Sequence, residues 1–428
     1  MTTPHTDSLL VQIEKPVYGG AFLARVEGKA IFVPLALAGE QARVRIVDDK
    51  RGYASAEIEE IVAASPERIA PACPHFGACG GCNYQHTGYA QQLGIKQTIL
   101  RETLERAGVH APDEIAVLSA EPWAYRNRIR LAFDTQGRLG YRGRRSHGIV
   151  AIAECPIAAP LLVHAAMQLA QLAHAGAAKL PLHEVSLFCN AEESALLATV
   201  ELRSGDAKRL QALAAAWAQQ IPQLAGVQFV QPGRNGKPAR TLTTWGEDSL
   251  AYSAAGAQYR VDHGAFFQVN RWLVDPLVDA VTAGASGKLA WDLYAGVGLF
   301  ARKLGASFER VIAVESAPPA LAPLAHNLRA TAGEAVRAET LAYLRRTTQP
   351  KPDLVVVDPP RTGLGAEVTS LLGALRAPAI AYVSCDPATL ARDLRTLTAS
   401  GYSIASVTLA DLFPQTFHLE TIVHLRLA

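Results

Sequence analysis

At 428 residues the chain exceeds one ordinary hydrophobic core, so two or three domains are expected. Hydrophobic residues make up 49% of it and charged residues 19%, which excludes a disordered or fibrous chain and predicts folded, soluble domains. No apolar run is long enough to cross a membrane, and the first residues carry Asp7 and Glu14 without an apolar signal core, so a cytoplasmic protein with no membrane partner is expected. The net charge of +2 leaves any nucleic-acid surface to local patches, and six cysteines are too few for a disulfide scaffold.

Residues 1–66 hold short β-rich runs at 11–13, 21–26, 29–33, 42–47 and 54–61. Gly19-Gly20, Glu27-Gly28, Gly39-Glu40 and Asp48-Asp49 mark the turns, a pattern that predicts a small five-stranded barrel of the OB type. Lys15, Arg25, Arg43, Arg45, Lys50 and Arg51 supply cations for RNA, or for an ordinary solvated β-surface. The arrangement Val17-Tyr18-Gly19-Gly20, then Gly28-Lys29-Ala30-Ile31-Phe32-Val33-Pro34, then Gly39-Glu40 resembles the TRAM domain of RNA-modifying enzymes. That resemblance implies RNA contact.

Residues 67–264 read as a central α+β domain. Cys73, Cys79 and Cys82 follow a C-x5-C-x2-C spacing, and Cys155 lies far downstream. Three local thiols and a distant fourth, with Pro74 and Pro156 beside two of them, suit a [4Fe–4S] cluster. Zinc on four thiolates competes, although the five-residue gap is atypical of zinc pairs. Ligation by cysteine alone leaves no open position, which favours a structural or RNA-positioning role over redox catalysis. His75 and His86 are expected at the surface rather than as ligands. Residues 89–107 are helical in pattern, stop at Gly108, and are expected to pack on the catalytic domain.

Residues 125–145 contain seven arginines, with Asp134 the only acid among them. Arg126, Arg128 and Arg130 alternate along an apparent strand and so are expected to share a face. Tyr125, Phe133 and Tyr141 interleave. Arginine forks suit phosphates and stack on bases, so RNA binding is expected. A salt-bridged surface is the alternative, and the acids near in sequence are too few to pair every arginine. Residues 161–178 and 207–220 predict amphipathic helices, residues 185–189 a strand carrying an inert Cys189, and residues 231–240 a basic hairpin end.

From residue 265 to 428 strands and helices alternate, which predicts an α/β, Rossmann-like sheet. Predicted strands lie at 289–294, 310–315, 335–339, 353–358, 377–383, 403–409 and 421–427. Predicted helices lie at 299–304, 319–331, 341–347, 365–375 and 387–400. The turn Asp292-Leu293-Tyr294-Ala295-Gly296-Val297-Gly298 lacks the third glycine of a dinucleotide site, which points to an adenosyl ligand without a pyrophosphate. Glu315, at the end of the next strand, is placed to grip ribose hydroxyls. Asp358-Pro359-Pro360 ends the fourth strand, as is frequent in S-adenosylmethionine enzymes acting on nucleobases or amides. Ser384-Cys385-Asp386-Pro387 puts a thiol between a strand and a helix start, where it is either an activated nucleophile or a buried core cysteine.

Taken with Phe266-Phe267-Gln268-Val269-Asn270 and with Phe413-Pro414 and His418-Leu419-Glu420-Thr421, these segments resemble the RNA uracil-5-methyltransferase family over essentially the whole chain. The resemblance implies S-adenosylmethionine-dependent methylation of uracil carbon 5, with Cys385 as nucleophile and Glu420 as base. Gln268, Tyr294, Glu315 and Asp358 form the implied cofactor-binding set, Gln268 and Asp358 also lying at the uracil. Cys73, Cys79, Cys82 and Cys155 match the cluster of the branch that acts on 23S ribosomal RNA, because the tRNA-specific branch lacks those cysteines. A monomer acting on a loop or flipped-out uridine is expected. His418 alternates with Glu420 and is a rival base. The alternatives are methylation of a tRNA uridine, a non-catalytic RNA-binding assembly factor, and an iron–sulfur redox sensor. Three residues depart from the family pattern. Ala295 replaces a cysteine, Leu299 a residue that is often polar, and Asp386 an asparagine. Pointed inward, the Asp386 carboxylate would raise the Cys385 pKa.

Overall fold

The structure, a computed structural model, describes residues 8–175, 182–233 and 239–428. Strands β1 (Leu9–Val17), β2 (Ala21–Val26), β3 (Lys29–Pro34), β4 (Gln41–Asp49) and β5 (Tyr53–Ala63) close into a barrel in the order β1-β2-β3-β5-β4. Val11, Ile13, Phe22, Ala24, Ile31, Val33, Ala42 and Val44 recur at every second position of their strands and form its buried core. Glu40, buried at the barrel mouth, accepts from the Arg68 guanidinium and from the backbone N–H of Leu37 at 2.7 Å. Those bonds outweigh its burial and hold the carboxyl below its usual range. They also tie the barrel to the cysteine segment that follows.

Helix α1 (Tyr89–Arg106) and strand β6 (Ala116–Leu118) come next in the chain but sit elsewhere in the fold, as described below. The central domain has strands β7 (Arg128–Phe133), β8 (Leu139–Arg142) and β9 (Ile149–Ala151), helix α2 (Pro160–Ala175), strands β10 (Leu182–Cys189) and β11 (Leu196–Leu202), helix α3 (Ala207–Gln220), and strands β12 (Leu224–Gln231) and β13 (Arg240–Gly246). Its sheet runs β13-β12-β11-β10-β7-β8-β9. Ile129, Leu131, Val185, Leu187, Val200 and Phe229 turn one face toward Leu162, Leu169, Leu210 and Trp217 of the two helices. Of the expected helix at 161–178, residues 176–178 lie outside the described residues, as do 234–238 of the expected loop at 231–240.

The hairpin β14 (Ser249–Ala254) and β15 (Ala257–Asp262) departs from the expected boundary at residue 264. Its inward positions Leu250, Tyr252, Tyr259 and Val261 are buried in one core with Phe267, Leu277 and Phe300, so it packs with the catalytic domain. Beyond it come α4 (Val274–Thr282), β16 (Gly287–Leu293), α5 (Leu299–Leu304), β17 (Phe308–Glu315), α6 (Pro318–Asn327), β18 (Gly333–Arg337), α7 (Thr340–Arg346), β19 (Leu354–Val357), α8 (Gly365–Leu375), β20 (Ala379–Ser384), α9 (Pro387–Ala399), β21 (Tyr402–Ala410) and β22 (Glu420–Leu427).

These strands form a sheet in the order β18-β17-β16-β19-β20-β22-β21-β6. The run from β18 to β20 is parallel, β22 is antiparallel between β20 and β21, and β6 pairs parallel with β21. Helix α1 packs against α9, with Ile99, Leu100 and Leu104 in one core with Leu390, Leu394 and Leu397. The expected helix at 319–331 stops at Asn327, whose side-chain amide donates to the carbonyls of Val297 and Arg260. No described helix is long and apolar enough to cross a membrane.

Candidate active site

The carboxyl ends of the parallel strands meet along one edge, where a doubly wound sheet opens a crevice. Tyr294 follows β16, Glu315 ends β17, Asp358 follows β19 and Cys385 follows β20. The pairings Val357↔Tyr382 and Ser384↔Thr421 bring Asp358 and Glu420 up beside the cysteine turn. β22 runs the opposite way, so its first residue, Glu420, sits at the edge where its neighbours end. Gln268 enters from the segment after the hairpin, and its Nε2 donates to Asp358 Oδ2 at 3.4 Å.

The three central groups repel one another's charge. Burial, then the carboxylates of Glu420 and Asp358, push the Cys385 thiol up to about 12, against the opposing pull of Arg361. Burial raises Asp358 to about 7. Burial and the Asp358 charge hold Glu420 above its ordinary value. A carboxyl so raised is a stronger base than one in water. His418 is different. Burial and the cations Arg361, Arg126 and Lys96 lower it to about 4, and its Nδ1 lies 2.9 Å from Arg361 Nη2. It is therefore neutral near pH 7 and weakly basic, which disfavours it as the rival base.

Asp386 turns away from the thiol. It is the N-cap of α9, its Oδ1 accepting from the backbone N–H groups of Ala388 at 3.1 Å and Thr389 at 2.9 Å. The other two departures, Ala295 and Leu299, are buried in the apolar core.

The glycine turn is braced from two sides. Asp292 is fully buried, its Oδ2 accepts from Ala301 N at 2.8 Å in the first turn of α5, and burial raises it to about 8. Glu315 Oε2 accepts from Gly296 N at 2.7 Å, and its Oε1 accepts from Ser316 N and Ala317 N. Tyr294 and Gly298 have positive φ, 67° and 87°. A Cβ on Gly298 would stand 2.8 Å from Leu324 Cδ1 on a backbone of positive φ, which favours glycine there, whereas at Gly296 it would meet open space.

The loop that leads into Glu420 is held by residues from distant segments that sequence reasoning missed. Lys96 and Asp411 form a fully buried ion pair at 2.5 Å, and Lys96 Nζ also donates to Phe413 O at 3.0 Å. Gln92 and Gln415 exchange two bonds, at 2.9 and 3.0 Å. Backbone N–H groups of Asn83 and Tyr84, beside Cys82, donate to Gln415 O, and Asn83 Oδ1 accepts from Phe417 N. Tyr18 of the barrel meets Phe417 edge-on, with ring centroids 5.7 Å apart. The one cue in the sequence was a lysine spaced among the apolar positions of α1.

Cys73, Cys79, Cys82 and Cys155 line one cavity together with Arg126 and Tyr141. Gly81 N and the Tyr141 hydroxyl each donate to a sulfur, of Cys79 and Cys155 respectively. Among the described residues the set of three ligating atoms within 4.8 Å of one another is His183, Glu184 and Glu201, so no three of these sulfurs approach that closely. His75 Nε2 accepts from Ala153 N at 3.2 Å. His86, expected at the surface, is buried beneath the Ala36 carbonyl and beside Phe76.

The arginine segment divides. β7 starts at Arg128, so Arg126 leaves the alternation and lines the cysteine cavity. Arg130 pairs with Glu184 and Glu201, Arg142 with Glu184, and Arg138 with Asp134. The acids that were absent nearby in sequence arrive on β10 and β11.

The sequence profile of the tRNA (Uracil-5-)-methyltransferase family matches residues 346–427, and that of the TRAM domain matches residues 7–58. An uncharacterized RNA methyltransferase of Aquifex aeolicus is 32% identical, covering 97% of both chains. The 23S rRNA (uracil(1939)-C(5))-methyltransferase RlmD of Halomonas elongata is 32% identical over 96% of this chain and 88% of its own. The enzyme of that name from Pseudomonas syringae is 33% identical over 96% and 92%. The chain belongs to the RNA uracil-5-methyltransferase family. As a member it is an S-adenosylmethionine-dependent RNA methyltransferase with an N-terminal TRAM barrel. A solved structure of the tRNA (uracil-54, C5)-methyltransferase of Pyrococcus abyssi, in complex with S-adenosyl-L-homocysteine, shares the fold. Its TM-score is 0.79 at 24% identity, covering 97% of this chain and 99% of that one.

Proposed function

We propose that this enzyme methylates carbon 5 of a uridine in 23S ribosomal RNA through a covalent bond between Cys385 and carbon 6 of the base. The observation that carries the chemistry is the convergence of Cys385, Asp358 and Glu420 on one crevice, with Gln268 bonded to Asp358. Carbon 5 of uracil is a weak nucleophile. Addition of the Cys385 thiolate to carbon 6 moves an electron pair toward carbon 5 and oxygen 4, and carbon 5 can then take a methyl group. When bound, S-adenosylmethionine supplies an electrophilic methyl on its sulfonium. Glu420 removes the carbon-5 proton, the released pair restores the double bond, and the thiolate leaves. Asp358 and Gln268 hold the uracil edge, while Glu315 and Tyr294 hold the ribose and the adenosyl group.

The choice of 23S rRNA draws on the RlmD relatives at 32–33% identity. The four-cysteine cavity is read as the seat of a [4Fe–4S] cluster. Zinc on four thiolates is the competitor, and the five-residue gap between Cys73 and Cys79 is atypical of zinc pairs. In a cubane each thiolate takes a separate iron, and Arg126 offers a counter-charge to the anionic assembly. Its role is structural, because the residues that follow Cys82 brace the loop before Glu420. The barrel and the central domain, joined near residue 66, grip RNA, and the catalytic part works on it as a cytoplasmic monomer.

The deciding experiment pairs two variants on unmodified 23S rRNA. Cys385→Ala should lose both turnover and any protein–RNA adduct. Glu420→Gln should accumulate the adduct. Normal release of methylated RNA by Glu420→Gln would remove Glu420 from the role of base. Methyluridine missing from tRNA, instead of from 23S rRNA, in a deletion strain would move the substrate. Iron and acid-labile sulfide assays on the purified protein test the cluster, and stoichiometric zinc without sulfide would overturn it.

A further inference from the structure

A cleft of about 190 Å³ opens between β7, β10 and β11 of the central sheet and the turn at 262–264. Arg128, Arg130, Ser186, Phe188, Thr199 and His263 are among its walls. Arg128 is its unusual member. Its guanidinium lies 4.4 Å from the centroid of the Phe188 ring, and its Nε is buried with no hydrogen-bond partner. The acids of the cleft are already engaged, Glu184 and Glu201 by Arg130 and Asp262 by Arg260. His263 bonds Thr199 Oγ1 and the Glu247 carbonyl and carries no negative charge. A half-buried guanidinium whose Nε has no partner, and whose neighbouring acids are all engaged elsewhere, leaves a place for an anionic ligand.

The position of the cleft indicates which anion. Phe188, under Arg128, packs on Phe267 with centroids 6.3 Å apart, and Phe267 directly precedes Gln268 of the catalytic crevice. The cleft is thus linked to the crevice through the packed rings of Phe188, Tyr252 and Phe267. We propose that the Arg128 cleft binds a phosphodiester group of the RNA strand next to the target uridine. The guanidinium fork takes the phosphate oxygens, and the Ser186 and Thr199 hydroxyls line the same space. A base can be held out of its stack only if the backbone beside it is fixed, and this contact would fix it. The inference rests on the RNA methyltransferase reading given above.

The test uses the full-length protein and a synthetic RNA hairpin that it methylates. Arg128→Gln should raise the KM for RNA about ten- to hundredfold, the effect of losing a charge-assisted contact, while kcat changes less than threefold. The salt dependence of log(kcat/KM) should become shallower by about 0.7, the share of one phosphate on a single strand. Arg128→Lys should keep most of that slope. Methylphosphonate linkages, which are neutral, are then placed singly around the uridine. One position should cost the unaltered enzyme about tenfold in KM and cost Arg128→Gln nothing more. A flat scan with the unaltered enzyme overturns the assignment even if a variant fails to fold. So does a loss in Arg128→Gln confined to kcat with the slope intact. Failure of the unaltered enzyme to methylate any RNA would instead remove the functional reading, and this inference with it.

Discussion

The phenol oxygen of Tyr18, on the first turn of the N-terminal barrel, lies 3.5 Å from the carbonyl oxygen of Cys385. The barrel therefore reaches the backbone of the nucleophile turn itself. A bond at that length contributes little, whereas the edge-on packing of the ring on Phe417 is of ordinary strength. Tyr18→Phe should stay within about twofold of the normal single-turnover rate. Tyr18→Ala should lower it about five- to tenfold, the equivalent of an aromatic contact. Equal losses in the two variants would mean that the hydroxyl matters more than the ring.

The pH response of the nucleophile is expected to be unusual. Burial and two neighbouring carboxylates hold the thiol at about 12, so the thiolate share grows about tenfold per pH unit across the neutral and mildly alkaline range. Alkylation of Cys385 by iodoacetamide, followed by peptide mass, should climb steadily from pH 7 to pH 10. A plateau near pH 8.5 would place the thiol at its ordinary value.

Lys96 and Asp411 give a stability prediction. Both side chains are completely buried, so removing one strands the other's charge. Lys96→Met should destabilise the protein by about 3–5 kcal/mol in urea unfolding. The double variant Lys96→Met, Asp411→Leu should recover most of that loss, because replacing both charges leaves no orphan. Additive losses would mean that the two side chains act separately. Loss of the pair should also slow methyl transfer, since Lys96 bonds the Phe413 carbonyl in the loop before Glu420.

Asp386 caps α9 and does not face the sulfur. Asp386→Asn preserves the cap and should leave both stability and the alkylation profile unchanged. Asp386→Ala should cost about 1 kcal/mol. A shift of the Cys385 profile in Asp386→Asn would show that the carboxylate acts on the thiol after all.

What the sequence disclosed depended on range. Asp292, Glu315, Asp358 and Cys385 each lie within one residue of a strand end, and apolar runs closed by glycine or proline make such positions readable. Partners far apart in the chain left no such mark. Lys96 and Asp411 are 315 residues apart, and Tyr18 and Cys385 are 367 apart. The hairpin at 249–262 shows an ordinary alternation, but alternation reports that one face is covered, not what covers it. The arginines illustrate the same limit, because Glu184 and Glu201 reach Arg130 only through the pairing of β10 with β7 and β11.

Strand β6 precedes the central domain in the chain, yet it completes the edge of a sheet whose other members all follow that domain. Ala116–Leu118 pairs with residues 408–410, so a nascent chain must keep α1 and β6 waiting while the central domain forms between them. Closing so large a loop is slow, and during that interval the apolar face of α1 stays bare. A chain halted before β21 would thus carry a formed barrel and central domain beside an open third, a natural client for chaperones.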